Sequence, residues 1–302
     1  MNNSKHPCFN VAAHDKYARI HLPVASSCNI VCAYCNRKSD CVHESRPGVC
    51  SRTLSPEEAA DLVDAAVRRL PSLAVAGIAG PGDSLADPGA TLRTIELIRA
   101  RHPHLLLCLS TNGLALGSHV PELKSLGVGH VTVTINAVDA AVGERICRAV
   151  HLEGGTHTGF EAAGLLLERQ TQALVALEDH GIAVKVNTVV IPDVNDLHVK
   201  EIARYIARFG VNLMNCIGLI PVPGTAMQSV QAPSAQHLEL VRKLAGEYVP
   251  QMRHCARCRA DAFGLLSKQS TINELGFPFP KASSCCPGQK QHCLPKSGPR
   301  LQ

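Results

Sequence analysis

Short apolar runs alternate along the chain with longer stretches in which apolar residues recur every three or four positions. The runs fall at 20–25, 73–79, 105–109, 131–135, 182–191 and 211–219. Most are near-continuous Val, Ile, Leu and Ala, the composition of parallel strands buried on both faces. The clearest helix between them begins at Ser55, with Pro56 in the first helical position and Glu58 completing a capping box. Ala59, Leu62, Val63, Ala66, Val67 and Leu70 then share one face. Further helices are predicted near 89–101, 118–126, 160–180, 196–209 and 234–247. That makes six strand–helix units, too few for a complete eight-unit barrel of about 250 residues. The fold class predicted is α/β, an incomplete (β/α)6 barrel, with an open doubly wound sheet as the alternative.

Polar punctuation follows the strands: Gly80-Pro81-Gly82-Asp83, Ser110-Thr111-Asn112-Gly113, Asn136-Ala137, and Asn187 running on to Pro192. Active sites of parallel α/β folds lie at the carboxyl ends of the strands, so these segments are expected to converge. Residues 265–302 carry Pro278, Pro280, Pro287, Pro295 and Pro299 and no period, which predicts a poorly ordered or extended tail.

Composition narrows the class. With 302 residues, 45% hydrophobic and 18% charged, the chain is that of an ordinary globular protein. Six Phe, four Tyr and no Trp leave the core to aliphatic side chains. The net charge of +5 is concentrated in 265–302, where five Lys and Arg face Glu274 alone. No basic stripe with interleaved aromatics appears, so no nucleic-acid partner is expected. No apolar run approaches the roughly 18 residues of a membrane span, and residues 1–7 hold no signal-like apolar segment. A cytoplasmic location without a membrane partner is therefore expected. There, 14 Cys and 15 His point to metal or redox chemistry rather than to a disulfide framework.

The sharpest motif follows the first strand, Cys28-Asn29-Ile30-Val31-Cys32-Ala33-Tyr34-Cys35. Three thiolates in one short loop can wrap a compact cluster, whereas a structural zinc site needs a fourth ligand. A four-iron cubane held by three Cys leaves one iron open to a substrate. Cys255 and Cys258 form a common metal half-site, equally readable as half a zinc ribbon completed by Cys285, Cys286 or Cys293. Taken alone, Cys108 reads as a core cysteine, though it shares a strand face with Ser110, and His21 reads as a structural histidine. Cys50, Cys147 and Cys216 have no paired spacing and read as packing residues.

The loop spacing, with an aromatic before its third Cys, resembles the radical S-adenosylmethionine (SAM) superfamily. Further segments narrow the resemblance: His6-Pro7-Cys8, Ala18-Arg19-Ile20-His21, Asn36-Arg37-Lys38, Cys41, Glu44-Ser45-Arg46-Pro47-Gly48-Val49, Thr111-Asn112-Gly113-Leu114, Val133 to Asp139, Lys185-Val186-Asn187, Ile191 to Asp196, and Cys255 to Ala262. From about residue 6 to 266 these are similar to the maturases that build the carbide-centred iron–sulfur core of the nitrogenase cofactor. The resemblance implies that Cys28, Cys32 and Cys35 hold the SAM cluster. It implies two auxiliary [4Fe-4S] substrate clusters, one on His21, Cys41 and Cys108 and the other on Cys8, Cys255 and Cys258. Tyr34, Gly80, Gly82, Asp83, Thr111, Thr134, Asn136 and Lys185 are implied to bind SAM, with Lys185 a partner for its carboxylate. Glu44 and Arg46 are candidates for proton handling or cluster positioning, or else form a surface ion pair. Ser84 departs from the family, which more often has Pro there.

By the same resemblance, residues 1–20 form an arm carrying an auxiliary ligand, 21–250 the partial barrel, 251–266 a second arm and 267–302 the basic tail. The chain is expected to resemble the stand-alone form, without a fused carrier domain. The implied reaction fuses two cubanes with a SAM-derived carbide and an added sulfide into an eight-iron core. Implied partners are an Fe–S donor scaffold, a low-potential electron donor, a carrier for the product and cofactor-assembly scaffold proteins. Two rival readings are a peptide-modifying radical SAM enzyme with auxiliary clusters and a non-catalytic metal-binding scaffold. Auxiliary ligands in the N-terminal half favour the cofactor maturase over the first. The SAM-site segments at strand ends argue against the second.

Overall fold

The computed structural model describes residues 3–36 and 53–276. In chain order the elements begin with β1 (Ala18–His21), β2 (Ile30–Cys32), α1 (Pro56–Arg69), β3 (Leu73–Ile78), α2 (Pro88–Arg101) and β4 (Leu106–Thr111). They continue with α3 (Leu116–Ser125), β5 (Val128–Thr134), α4 (Ala140–Gly143), β6 (Cys147–Leu152), β7 (Gly155–Thr158) and α5 (Gly159–Asp179). The last are β8 (Ala183–Val190), α6 (Val199–Ile206), β9 (Leu213–Gly218), α7 (Ala235–Ala245), β10 (Ala262–Gly264) and β11 (Gln269–Thr271).

Six strands pair in parallel in the order β1-β3-β4-β5-β8-β9. Each crossover adds the next strand on the same side, and the order never reverses as it does in a doubly wound sheet. The sheet is therefore a partial (β/α)6 barrel, open between β1 and β9. One face of each strand packs beneath the helices in an aliphatic core that includes Leu62, Ile78, Leu107, Leu109, Val131, Val186, Ile202 and Met214. The capping box at the head of α1 is formed, with Ser55 and Glu58 exchanging hydrogen bonds of 3.1 and 2.9 Å. Such a cap contributes about 1 kcal/mol.

The two open edges are covered. β10 and β11 add antiparallel strands outside β1. Backbone bonds from Met214 to Pro250 and from Met252 to Met214 close the β9 edge. The first part of the aperiodic 265–302 stretch is thus folded, because β11 pairs with β10 and Ile272 is buried. β1 stops at His21, ahead of Pro23, which has no N–H to extend a ladder. A second sheet, β2-β6-β7, had no counterpart in the hydrophobic pattern, because β7 lies largely exposed and shows no alternation. No helix among the described residues is long and apolar enough to cross a membrane.

Candidate functional site

The three-cysteine loop is built around β2. Cys32 is buried, Cys28 and Cys35 are half-buried, and β6 pairs with β2 so that Cys147 stands opposite Cys32. Burial pushes the Cys147 thiol up to about 12, so it stays protonated beside the loop. Tyr34 is fully buried, and its hydroxyl accepts a 2.9 Å hydrogen bond from Asn136. Asn136 in turn accepts from the Val189 N–H at 2.8 Å, which ties the loop to the carboxyl end of β8. Asn112 donates to Asn29 at 2.7 Å, and its Nδ2 lies 3.9 Å from Cys28 Sγ.

The Gly80-Pro81-Gly82-Asp83 segment braces the loop from the other side. Gly82 N–H donates to Ala25 at 2.6 Å and Asp83 N–H to Ser27 at 2.7 Å. A Cβ on Gly82 would fall 2.7 Å from the Ser27 carbonyl carbon and closer still to its oxygen. Only glycine permits that approach. Gly80 adopts φ +123°, again glycine's territory. The buried Asp83 carboxylate accepts from Thr111 Oγ1 at 2.9 and 3.0 Å, from Asn112 N–H at 2.5 Å and from Leu85 N–H at 2.9 Å. It fastens β4 to the loop brace.

Beside the loop, a cavity of about 470 Å³ is lined by Cys32, Asn112, Thr134, Asn136, Asp139, Cys147 and Gln170 together with aliphatic side chains. Gln170, in the middle of α5, donates to the carbonyls of Asn112 at 2.7 Å and Thr134 at 2.9 Å. Thr134 Oγ1 is buried with no partner among the described residues. The residues fit a polar ligand bound against the cysteine loop, since they leave this hydroxyl to be satisfied.

A larger cavity of about 720 Å³ occupies the inside of the partial barrel. Its floor is made of inward-facing strand residues: Gly77, Cys108, Ser110, Thr132, Lys185, Asn187 and Asn215. His21, at the end of β1, also faces it. The N-terminal segment roofs it with His6, Cys8 and Phe9, and the segment after α7 with Cys255, Arg257 and Cys258. The roofing segments are tied together where His254 contacts the Pro7 carbonyl at 3.0 Å. Four thiols and two imidazoles, far apart in the sequence, thus share one chamber.

Hydrogen bonds and burial set the state of these side chains. His21 Nδ1 lies 2.9 Å from the Arg259 carbonyl, to which it donates, so Nε2 carries the lone pair and is the ring atom able to coordinate. Burial, and then Arg19, push its pKa down to about 3, so the ring is neutral. Burial, and then Cys8, push Cys108 up to about 12, and burial raises Cys8 as well. Asn215 donates to Cys255 Sγ at 3.3 Å and Arg19 to Cys258 Sγ at 3.0 Å. A Cβ on Gly77 would stand 2.7 Å from Cys108 Sγ and 3.6 Å from His21 Cδ2, so the glycine leaves a cradle between two donors. Among the described residues no group of His, Cys, Asp or Glu converges on a single ion as a zinc site would. The sulfurs instead line a volume, which fits a multi-iron cluster better than one ion.

The structure places Tyr34, Gly80, Gly82, Asp83, Thr111, Thr134 and Asn136 around the cysteine loop. Lys185 lies elsewhere, inside the barrel cavity. Cys216 is buried beneath α7, with its thiol pushed up to about 12 by burial. Cys41, Glu44, Arg46, Cys50, Cys285, Cys286 and Cys293 lie outside the described residues. Gly77, Gln170, Asn215 and Arg19's contact with Cys258 were not singled out by sequence reasoning. Gly77 left a signal, a lone glycine in an apolar strand run, which marks close approach of another group.

A three-thiol loop at the carboxyl edge of a partial parallel β/α barrel, braced by strand-end polar segments, defines a radical SAM protein. Residues 22–206 match the Radical SAM superfamily model, and the chain belongs to that superfamily of enzymes. The chain is also 44% identical over 268 residues to FeMo cofactor biosynthesis protein NifB of Chlorobaculum tepidum, covering 89% of this chain and 63% of that one. It is 46% identical to NifB of Herbaspirillum seropedicae, over 87% of this chain and 51% of the relative. With NifB of Klebsiella pneumoniae it shares 44%, over 92% and 60%. The chain thus spans between about half and two thirds of the length of these curated relatives. Among solved structures, methylornithine synthase (PylB) superposes with a TM-score of 0.50 at 11% identity, covering 80% of this chain and 72% of that one. The methyltransferase TsrM from Kitasatospora setae gives 0.50 at 15% identity, covering 72% and 37%. Both likenesses are of fold alone.

Proposed function

We propose that this chain is a maturase of the nitrogenase cofactor, fusing two [4Fe-4S] substrate clusters with a SAM-derived carbide and an added sulfide into an eight-iron precursor. The observation that carries the reading is the barrel cavity. It places Cys8, His21, Cys108, Cys255 and Cys258 in one chamber behind a radical SAM cysteine loop. The similarity to NifB proteins, which covers 87–92% of this chain, supports the same reading.

When bound, SAM and its cluster supply a methyl group and a one-electron radical source. Cys28, Cys32 and Cys35 would hold that cluster, leaving one iron for the ligand, and Asn112 would orient Cys28. Thr134, Asn136 and Asn112 would bind the ligand's polar groups in the 470 Å³ cavity. Gly82 and Asp83 would keep the loop in position through Ser27 and β4.

His21 with Cys108 would hold one substrate cluster, and Cys8 with Cys255 and Cys258 the other; Cys41 is the implied third ligand of the first. A neutral imidazole is a more labile ligand than a thiolate. That suits a cluster which must be released. The roofing segments exclude water from the sulfurs and keep both substrates on the inner face of the sheet. Partners of the kind such a reaction needs are a cluster donor, an electron donor, a product carrier and an assembly scaffold.

The test is anaerobic reconstitution followed by SAM and dithionite. Three cubanes predict about twelve irons per chain, with both S-adenosylhomocysteine and 5′-deoxyadenosine released. About four irons, or 5′-deoxyadenosine without S-adenosylhomocysteine, would defeat the fusion reaction.

A further inference from the structure

We infer that Lys185, seconded by Arg19, is the counter-charge that holds the anionic iron–sulfur substrate inside the barrel, and is not a partner of the SAM carboxylate. The inference rests on the maturase reading and gives that reading's substrate site its electrostatic specificity.

Lys185 is the third residue of β8, in register with Thr132 and Leu213, whereas the strand runs on to Val190 before reaching the loop face. Strand alternation puts it on the same face as Asn187, and both line the 720 Å³ cavity. Its ammonium lies 6.0 Å from the Phe9 ring centroid and lowers the thiols of Cys8 and Cys108 against the upward push of burial. Arg19, on β1 and 1% exposed, does not line the chamber itself but stands behind Cys258, which does. It donates to Cys258 Sγ at 3.0 Å and to the carbonyls of Gly264 at 2.5 Å and Leu265 at 3.1 Å. Its Nε has no partner among the described residues.

No Asp or Glu lines the cavity, and among the described residues neither cation forms an ion pair with a carboxylate. A buried charge without a counter-ion is costly, so this chamber is built for an anion. SAM is the wrong occupant on charge alone. Its sulfonium and ammonium outweigh its one carboxylate, and two unbalanced cations repel it. A thiolate-ligated iron–sulfur cluster carries net negative charge, and its sulfides accept N–H hydrogen bonds.

The test compares the 302-residue chain, Lys185→Met and Lys185→Arg after anaerobic reconstitution. Three quantities are measured: iron per chain, SAM affinity, and the midpoints of the auxiliary clusters by EPR-monitored redox titration. Lys185→Met is expected to keep SAM affinity within about twofold. Its auxiliary midpoints should move to lower potential, because the reduced and more negative form loses its counter-charge. Loss of auxiliary irons with SAM affinity retained is an equal confirmation. Lys185→Arg should restore the parent values, and the midpoint of the cluster on Cys28, Cys32 and Cys35 should stay fixed in all three. Unmoved auxiliary midpoints, or a tenfold loss of SAM affinity in Lys185→Met, would overturn the inference. Wild-type protein loading only about four irons would instead defeat the maturase reading itself, which separates the two failures.

Discussion

Gly77→Ala isolates the chamber from the fold. Gly77 sits in β3 without a positive φ, so alanine is conformationally acceptable there. Its new methyl group would stand 2.7 Å from Cys108 Sγ, about 1 Å inside the ~3.5–4.0 Å optimum for heavy-atom contact. His21 Cδ2 at 3.6 Å is in ordinary contact and blocks the methyl from moving the other way. The thiol therefore has to yield, either by rotating away or by pushing β4 outward. Overpacking of this size costs about 1–3 kcal/mol, which a domain with a typical 5–15 kcal/mol of stability survives. On the proposed function cluster binding has no such margin, because a displaced Cys108 would leave its substrate cluster short of a ligand. Expected outcomes are a modest fall in the urea midpoint and a drop from about twelve to about eight irons per chain after anaerobic reconstitution, with SAM binding unchanged. Full iron loading by Gly77→Ala would show that Cys108 is not a ligand in this chamber.

Gly82→Ala should be worse for the fold, since its methyl group meets the Ser27 backbone, which cannot rotate away. Adding overpacking to two lost backbone hydrogen bonds gives about 3–5 kcal/mol, read as a large fall in urea midpoint with loss of SAM binding. Asp83→Ala leaves the Thr111, Asn112 and Leu85 donors without their acceptor and should cost about 3 kcal/mol or more. Asp83→Asn should recover part of that, and a null result for Asp83→Ala in chemical denaturation would refute the bracing role. His130 is pushed down to about 4, chiefly by burial, so between pH 6.5 and 4 the unfolded chain binds a proton that the folded chain refuses. Stability should therefore fall as pH drops through that window, by about 2 kcal/mol at pH 5 from this group. Urea melts of cluster-free His130→Gln at pH 7 and 5 should show a correspondingly smaller loss, and an identical loss would refute the assignment.

The parallel core was legible because strands buried on both faces are written as continuous aliphatic runs, and because α1 announces itself with Ser55, Pro56 and Glu58. The small β2-β6-β7 sheet was not, since strands that are short and partly exposed carry no period. The cysteine loop was legible from spacing alone. The chamber was not: Cys8, His21, Cys108 and Cys255 are far apart in sequence, and on the residues' own showing Cys108 is an ordinary core thiol. The family resemblance grouped them, and the sheet's inward face together with the two roofing segments brings them into one volume. Lys185 shows the limit of reading by motif. The resemblance made it a SAM ligand, but it is only the fourth residue of the run 182–191, and the register of β8 places it inside the barrel.

On the proposed function, SAM bound beside the cysteine loop and two cubanes held in the barrel chamber together yield a usable cofactor core. The direct measurement incubates the reconstituted chain with SAM and dithionite, adds the mixture to cofactor-free nitrogenase with the remaining assembly components, and follows substrate reduction. The account predicts activity that requires SAM and disappears in Cys108→Ala. Release of both SAM-derived products without any activation of nitrogenase would contradict it.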